Sequence, residues 1–158
     1  MDASEVIERL SLVPLAEEGG FFRQTYQSED RLLTPQGERF YSTAIYYLVT
    51  PQSFSALHRL PGDEVFHFYQ GEPVEMIQIS STGILTTVEL GNSLGTNEPQ
   101  VVVPKNTWQG TRLKGDRGWA LLGCTMSPGF DPKDYQHGDR AELLNQFPNL
   151  KKQILKYT

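Results

Sequence analysis

The sequence predicts an all-β domain, a sandwich or barrel with short helices at its N- and C-terminal ends, on three observations. Short runs rich in β-branched and aromatic residues recur between Phe21 and Met126, with turn residues between them. No helical pattern alternates with those runs, as a parallel sheet would require. Helical periodicity is confined to the two ends of the chain. At 158 residues the chain suits one domain covering 1–158, because a domain of about this size buries roughly 70% of the surface its unfolded chain exposes.

Residues 2–12 read as an amphipathic helix. Asp2 stands three residues before Glu5 in a capping-box arrangement, Val6, Ile7 and Leu10 share one face, and Pro14 marks the end. The expected strands are Phe21 to Tyr26, Phe40 to Thr50, Phe54 to His58, Glu64 to Tyr69, Val74 to Ile79, Ile84 to Leu90, Gln100 to Val103, Trp108 to Leu113 and Trp119 to Met126. Ser80-Ser81-Thr82-Gly83, Gly91-Asn92 and Lys114-Gly115-Asp116 separate them, since Gly and Asn reach turn conformations and Ser and Asp bond their own backbone. The tail returns to helix: Asp139 precedes Glu142 and then Leu143 and Leu144, Pro148 interrupts, and Leu150 to Leu155 adds a turn or two. The charged string Asp131, Lys133, Asp134, Asp139 and Arg140 reads as a solvated surface with no function.

A net charge of −5 argues against nucleic acid as a partner, because such modules carry a clustered basic face. The single cysteine, Cys124, lies in the apolar run Ala120-Leu121-Leu122-Gly123-Cys124, forms no intrachain disulfide, and is expected as a small buried residue in a reducing compartment. The N-terminus has acidic residues and no apolar run of signal-peptide length, and no stretch of about 18 apolar residues occurs anywhere. The expectation is a cytoplasmic protein with no membrane partner.

Chemistry concentrates in residues 58–71. His58, Glu64 and His67 fall around the turn Pro61-Gly62-Asp63, between Phe54-Ser55-Ala56-Leu57-His58 and Val65-Phe66-His67-Phe68-Tyr69. Two such runs about a Pro-Gly turn read as a β-hairpin, with His58 and Glu64 meeting across its mouth. Strand alternation puts Glu64, Phe66 and Phe68 on one face and His67 on the other.

These residues resemble the motifs of the cupin superfamily. His58, Glu64 and Gly71 match the first motif, with Gln52 in place of its leading Gly and Leu60 in place of its second His. Pro104-Lys105-Asn106-Thr107-Trp108-Gln109 matches the second, with Asn for Gly and Gln for His; Asn is among the few residues that tolerate a left-handed backbone. Longer strings are similar to the uncharacterised cupin 5 (DUF985) family: Glu18-Gly19-Gly20-Phe21-Phe22-Arg23, Ser42-Thr43-Ala44-Ile45-Tyr46-Tyr47-Leu48, Ser55-Ala56-Leu57-His58-Arg59-Leu60, Asp63-Glu64-Val65-Phe66-His67-Phe68-Tyr69, Pro99-Gln100-Val101-Val102-Val103-Pro104 and Gly123-Cys124-Thr125-Met126-Ser127-Pro128-Gly129-Phe130-Asp131. The resemblance implies a double-stranded β-helix, or jelly-roll barrel, with a pocket in its open mouth, assembled as a homodimer. It supplies no established activity.

Metal-holding cupins use three His and one Glu. Here only His58 and Glu64 remain as good donors, and the carboxamide of Gln109 is a weak one. No tightly held metal or other cofactor is expected. Without metal, His58 can act as a general base with Glu64 favouring its charged form, as in the epimerases of deoxy nucleotide-sugars, which pair a His base with a Tyr acid. Tyr46, Tyr47 and Tyr69 are the available phenols; Tyr46 and Tyr47 face opposite ways, so only one can serve. Gln109 is expected to line the pocket as a hydrogen-bonding group, with Trp108 as a stacking surface or a core residue and Arg23 on a ligand phosphate or in a salt bridge. Two readings stay open: an epimerase or isomerase acting on a carbohydrate-like or nucleotide-sugar metabolite, and a non-catalytic small-molecule binding or sensing protein. A metal-dependent dioxygenase is disfavoured by Leu60 and Gln109.

Overall fold

The computed structural model describes residues 1–158. Helix α1 (Ala3–Leu10) starts on the capping box: the Glu5 backbone N–H donates to Asp2 Oδ1 at 2.9 Å and the Asp2 N–H to Glu5 Oε2 at 2.6 Å. Thirteen strands follow: β1 (Val13–Pro14), β2 (Phe21–Gln27), β3 (Arg31–Thr34), β4 (Gly37–Phe40), β5 (Thr43–Val49), β6 (Ser55–Arg59), β7 (Glu64–Gly71), β8 (Val74–Ile79), β9 (Leu85–Leu90), β10 (Gln100–Val103), β11 (Trp108–Leu113), β12 (Ala120–Met126) and β13 (Gln136–His137). Helices α2 (Arg140–Gln146), capped by Asp139, and α3 (Lys151–Lys156) close the chain.

The strands form an all-β jelly roll of two antiparallel sheets. One has the order β1-β2-β5-β12-β7-β10 and the other β13-β6-β11-β8-β9, while β3 and β4 make a separate hairpin. Alternation along each strand sorts the side chains. Tyr47, Val49, Phe66, Val74, Met76, Leu113, Leu122 and Cys124 pack between the sheets. Leu57, Ile77, Ile79 and Trp108 point the other way, where Leu143, Phe147, Ile154 and Tyr157 from the C-terminal helices cover them. The outer side of the six-stranded sheet holds Leu48 against Val6 and Leu12. Each sheet therefore buries one face in the interior and part of the other under a terminal helix.

Contrary to the expectation from the sequence, β6 and β7 are not a hairpin. They belong to different sheets, β6 pairing with β11 and β13, and β7 with β12 and β10. Pro61-Gly62-Asp63 carries the chain across the sandwich edge, because a turn signal does not specify which strand becomes a neighbour; packing of the two faces does. The β3–β4 hairpin and β13 had no sequence signal. The hairpin is largely exposed, with Leu33 at 85%, so burial imposes no alternation on it. The charged tail string is also more structured than expected. Arg39 of β4 is buried and binds Asp134 in a two-pronged pair, Nε to Oδ2 at 2.7 Å and Nη2 to Oδ1 at 2.6 Å. That pair ties the hairpin to the segment just before Tyr135.

Candidate functional site

A β-bulge builds the site. In the β6–β11 ladder Ser55 pairs with Thr111 and His58 with Gln109, so Ala56 and Leu57 stand opposite Gly110 alone. Both Ser55 and His58 thereby face the interior despite their odd spacing. The bulge also releases two backbone donors: Ala56 N–H binds the Glu18 carbonyl at 2.8 Å and Leu57 N–H the Tyr157 carbonyl at 2.8 Å. Only glycine fits opposite, because a Cβ at Gly110 would lie 2.9 Å from Tyr157 Cδ1 and 3.1 Å from the Ser55 oxygen. The turn into β11 includes Asn106 at φ 61°, the left-handed conformation its motif position requires.

Four elements converge inside. His58 comes from β6, Gln109 from β11, Glu64 from β7 in the opposite sheet, and Glu18 from the loop before β2. That loop presses against β6: Gly19 has φ +92°, and a Cβ there would run into the Phe54 carbonyl oxygen. Ser55 Oγ donates to Glu18 Oε1 at 3.0 Å, and Tyr47 OH donates to the Gly19 carbonyl at 2.8 Å. His58 Nε2 lies 3.8 Å from Glu18 Oε2 and 4.0 Å from Glu64 Oε1. Gln109 Nε2 sits 2.8 Å from His58 Nε2 and 3.4 Å from Glu64 Oε2. The Tyr135 ring stacks on the His58 ring, centroids 5.3 Å apart and planes at 26°.

These contacts assign the histidine tautomer. His58 Nδ1 is 2.8 Å from the Ala56 carbonyl oxygen, which only accepts, so Nδ1 carries hydrogen and neutral Nε2 accepts from the Gln109 amide. Burial is the main influence on Glu64; the Glu18 carboxylate adds to it while His58 and Gln109 oppose it, and the pKa rises to about 7. Burial pushes His58 down, but Glu18, Glu64 and the Ala56 carbonyl outweigh it and the net shift is upward. The two groups shift each other and therefore titrate as a coupled pair. Burial pushes the Tyr47 and Tyr135 phenols and the Cys124 thiol up, so all three stay protonated; the thiol is 3.9 Å from Glu64 Oε1.

A cavity of about 270 Å³ opens beside this cluster. Its wall is mainly apolar, including Leu15, Phe22, Ile45, Leu60, Phe66, Met126 and Phe130, and its polar part is Glu17, Glu18, Thr43, Tyr47, Glu64 and Tyr135. His58 and Gln109 are fully buried and stand behind that wall rather than on it. The sequence-derived candidates thus divide. His58, Glu64 and Gln109 come together. Trp108 does not join them: it faces the helix-covered side of β11 with Arg59 over its ring at 4.5 Å. Tyr46 points outward, edge-on to Tyr69, and of the three phenols expected from the sequence only Tyr47 lies on the cavity. Arg23 is exposed and stands 5.5 Å from the Tyr46 ring, on the outer face of the sheet and off the cavity. His67 also faces out, toward Gln100 and Thr125. Glu18 and Tyr135 are site residues that sequence reasoning missed. Glu18 stood in a quoted family string with a pair of glycines after it, a signal of close backbone approach; Tyr135 had no signal at all.

An antiparallel jelly roll with a His and a Glu facing each other beside an interior cavity defines a cupin. The chain belongs to one family of that superfamily: the family model described as Cupin superfamily (DUF985) matches residues 4–138. Among solved structures it is similar to protein SO0799 from Shewanella oneidensis, at 34% identity and TM-score 0.92 over 100% of this chain and 98% of that one. A hypothetical protein from Leishmania major is 28% identical, with TM-score 0.94 over 100% and 99%. A dTDP sugar isomerase from Desulfovibrio desulfuricans shares the fold alone, at 14% identity and TM-score 0.55 over 75% and 83%. No curated protein matches the sequence.

The donor set does not fit the metal that many cupins hold. Leu60 takes the place of an imidazole on the cavity wall, and the His58 Nε2 lone pair is already engaged by Gln109. No three His, Cys, Asp or Glu side chains are disposed to hold an ion. No helix is long and apolar enough to cross a membrane.

Proposed function

We propose that this cupin is a metal-independent isomerase or epimerase that moves a proton at a carbon beside a carbonyl in a small, carbohydrate-sized metabolite. One observation carries the reading: Glu64 reaches the cavity wall with a pKa of about 7 while touching the buried His58–Gln109 pair. A base poised near the working pH transfers protons best in both directions. Glu64 is the group that meets substrate; His58 behind it exchanges its proton and Gln109 orients the imidazole. Tyr47 and Tyr135, protonated and on the same wall, are the acids once substrate displaces the Gly19 carbonyl and His137 from their hydroxyls. The cavity has the volume of about nine waters at ~30 Å³ each, and no Lys or Arg lines it, which disfavours a nucleotide diphosphate inside it. A second reading, a binding or sensing protein, draws support from the largely apolar wall. The buried free thiol of Cys124 suits a cytoplasmic location.

The test is solvent deuterium incorporation into candidate carbonyl compounds. Wild type should exchange one carbon-bound hydrogen, Glu64→Gln should lose roughly a hundred- to ten-thousand-fold, and His58→Asn should lose less. Exchange that survives Glu64→Gln refutes the base; ligand binding with no exchange in wild type supports the second reading.

A further inference from the structure

We propose that the cavity takes an organic cation, a protonated amine on a small apolar body, with the ammonium group at Glu18 and Glu64. The inference rests on the cavity being the ligand site, as above, and not on proton transfer taking place there.

Charge balance comes first. Glu17, Glu18 and Glu64 line the cavity and no Lys or Arg does. Arg39, the one buried arginine, is consumed by Asp134. His58 is the one basic group in the cluster, and it stands within 4.0 Å of two carboxylates, so with both ionised the cluster lacks at least one positive charge even when His58 is protonated. A buried carboxylate without a counter-charge is costly, and burial with the Glu18 charge accordingly drives Glu64 toward its protonated form. An ammonium supplies the missing charge.

Hydrogen bonding points the same way. The side chain of Gln109 is fully buried, its Nε2 touches His58 and Glu64, and its Oε1 has no donor. Most nearby donors are engaged, Tyr47 OH on the Gly19 carbonyl, Ser55 Oγ on Glu18, and Tyr135 OH at 3.0 Å from His137 Nδ1, while Thr43 Oγ1 accepts from the Phe130 N–H and keeps its own hydrogen free. The cavity wall itself, with Glu17, Glu18 and Glu64 against the single free hydroxyl of Thr43, therefore offers more acceptors than free donors. A ligand carboxylate or phosphate would add acceptors and repulsion; a hydroxyl would bring one donor and no charge; an ammonium brings three donors. The aromatic walls of Phe22, Phe66 and Tyr135 suit the same ligand, because ring faces attract cations as well as apolar surface.

Isothermal titration of wild type with phenethylamine, 2-phenylethanol and phenylacetate, three probes of like size, isolates the charge. Phenethylamine should bind about 10- to 100-fold tighter than the alcohol, the worth of a charged hydrogen bond, and phenylacetate weakest. Glu18→Gln and Glu64→Gln should each bring the amine toward the alcohol. On wild type alone, affinity for the amine should rise from about pH 6 to about pH 8 as Glu64 gives up its proton amid His58, Glu18, Gln109, Cys124 and Tyr135, while affinity for the alcohol stays flat. Equal or tighter binding of the alcohol or the acid overturns the proposal. So does failure of all three probes to bind, a flat pH profile for the amine, or a preference unchanged in both variants. Amine preference without deuterium exchange in any carbonyl compound would defeat the isomerase reading and leave this one standing.

Discussion

Stability should fall as pH rises through neutrality, and Glu64→Gln should remove much of that fall. Folding raises the Glu64 pKa from an ordinary 4.5 to about 7. Between those values the folded chain binds more protons than the unfolded one, so stability declines across that interval and stays lower above it. At ~1.4 kcal/mol per pH unit the ionised group is unfavourable by about 3 kcal/mol at pH 8. His58 acts in the same direction: its pKa is raised, so its contribution is present below about 6.5 and is lost as pH rises through the folded value. Glu75, lowered mainly by Lys156, contributes above about 4.5 and loses that contribution only at lower pH, outside the window. For a chain of this size ~1 kcal/mol moves Tm by about 2–4 °C, so wild type should melt about 6–12 °C lower at pH 8 than at pH 5. The variant should keep only the part due to His58. Calorimetric melts of both proteins at the two pH values measure this. A wild-type Tm that rises with pH, or a variant with the full wild-type drop, would refute the assignment of Glu64 as a buried, poised carboxyl.

Two further outcomes follow from placement. Trp108→Ala should cost about 3–5 kcal/mol by emptying the layer between β11 and the C-terminal helices, with affinity of the folded variant for cavity ligands unchanged; weaker ligand binding at wild-type stability would return Trp108 to the pocket. We also propose a homodimer formed at β2, whose residues Arg23–Gln27 are exposed because β1 pairs only with Phe21 and Phe22, leaving an edge that can accept a strand. Light scattering should report twice the chain mass at micromolar concentration, and a monomer there contradicts it.

The sequence by itself determined the terminal helices, the strands of the two main sheets from β2 to β12 apart from the β3–β4 hairpin, and the face of most residues in them. Alternation is a local property, so Tyr46 and Tyr47, Glu64 and His67, and Trp108 and Gln109 were each separable into opposite faces before any packing was known. Which face looked inward was legible for Gln109, because its motif position ties it to His58. It was not legible for the tyrosines, where both faces of β5 are covered and both read as apolar. Tertiary structure alone decided that β6 and β7 lie in different sheets, that a bulge at Ala56 and Leu57 turns both Ser55 and His58 inward, and that Glu18 and Tyr135 close on the imidazole from distant segments. Those choices depend on long-range pairing: Ala56 N–H meets Glu18, Leu57 N–H meets Tyr157, and Arg39 holds the chain beside Tyr135. No local pattern encodes such partners, because each is selected by the burial and hydrogen-bond satisfaction of the whole sandwich rather than by the residues beside it.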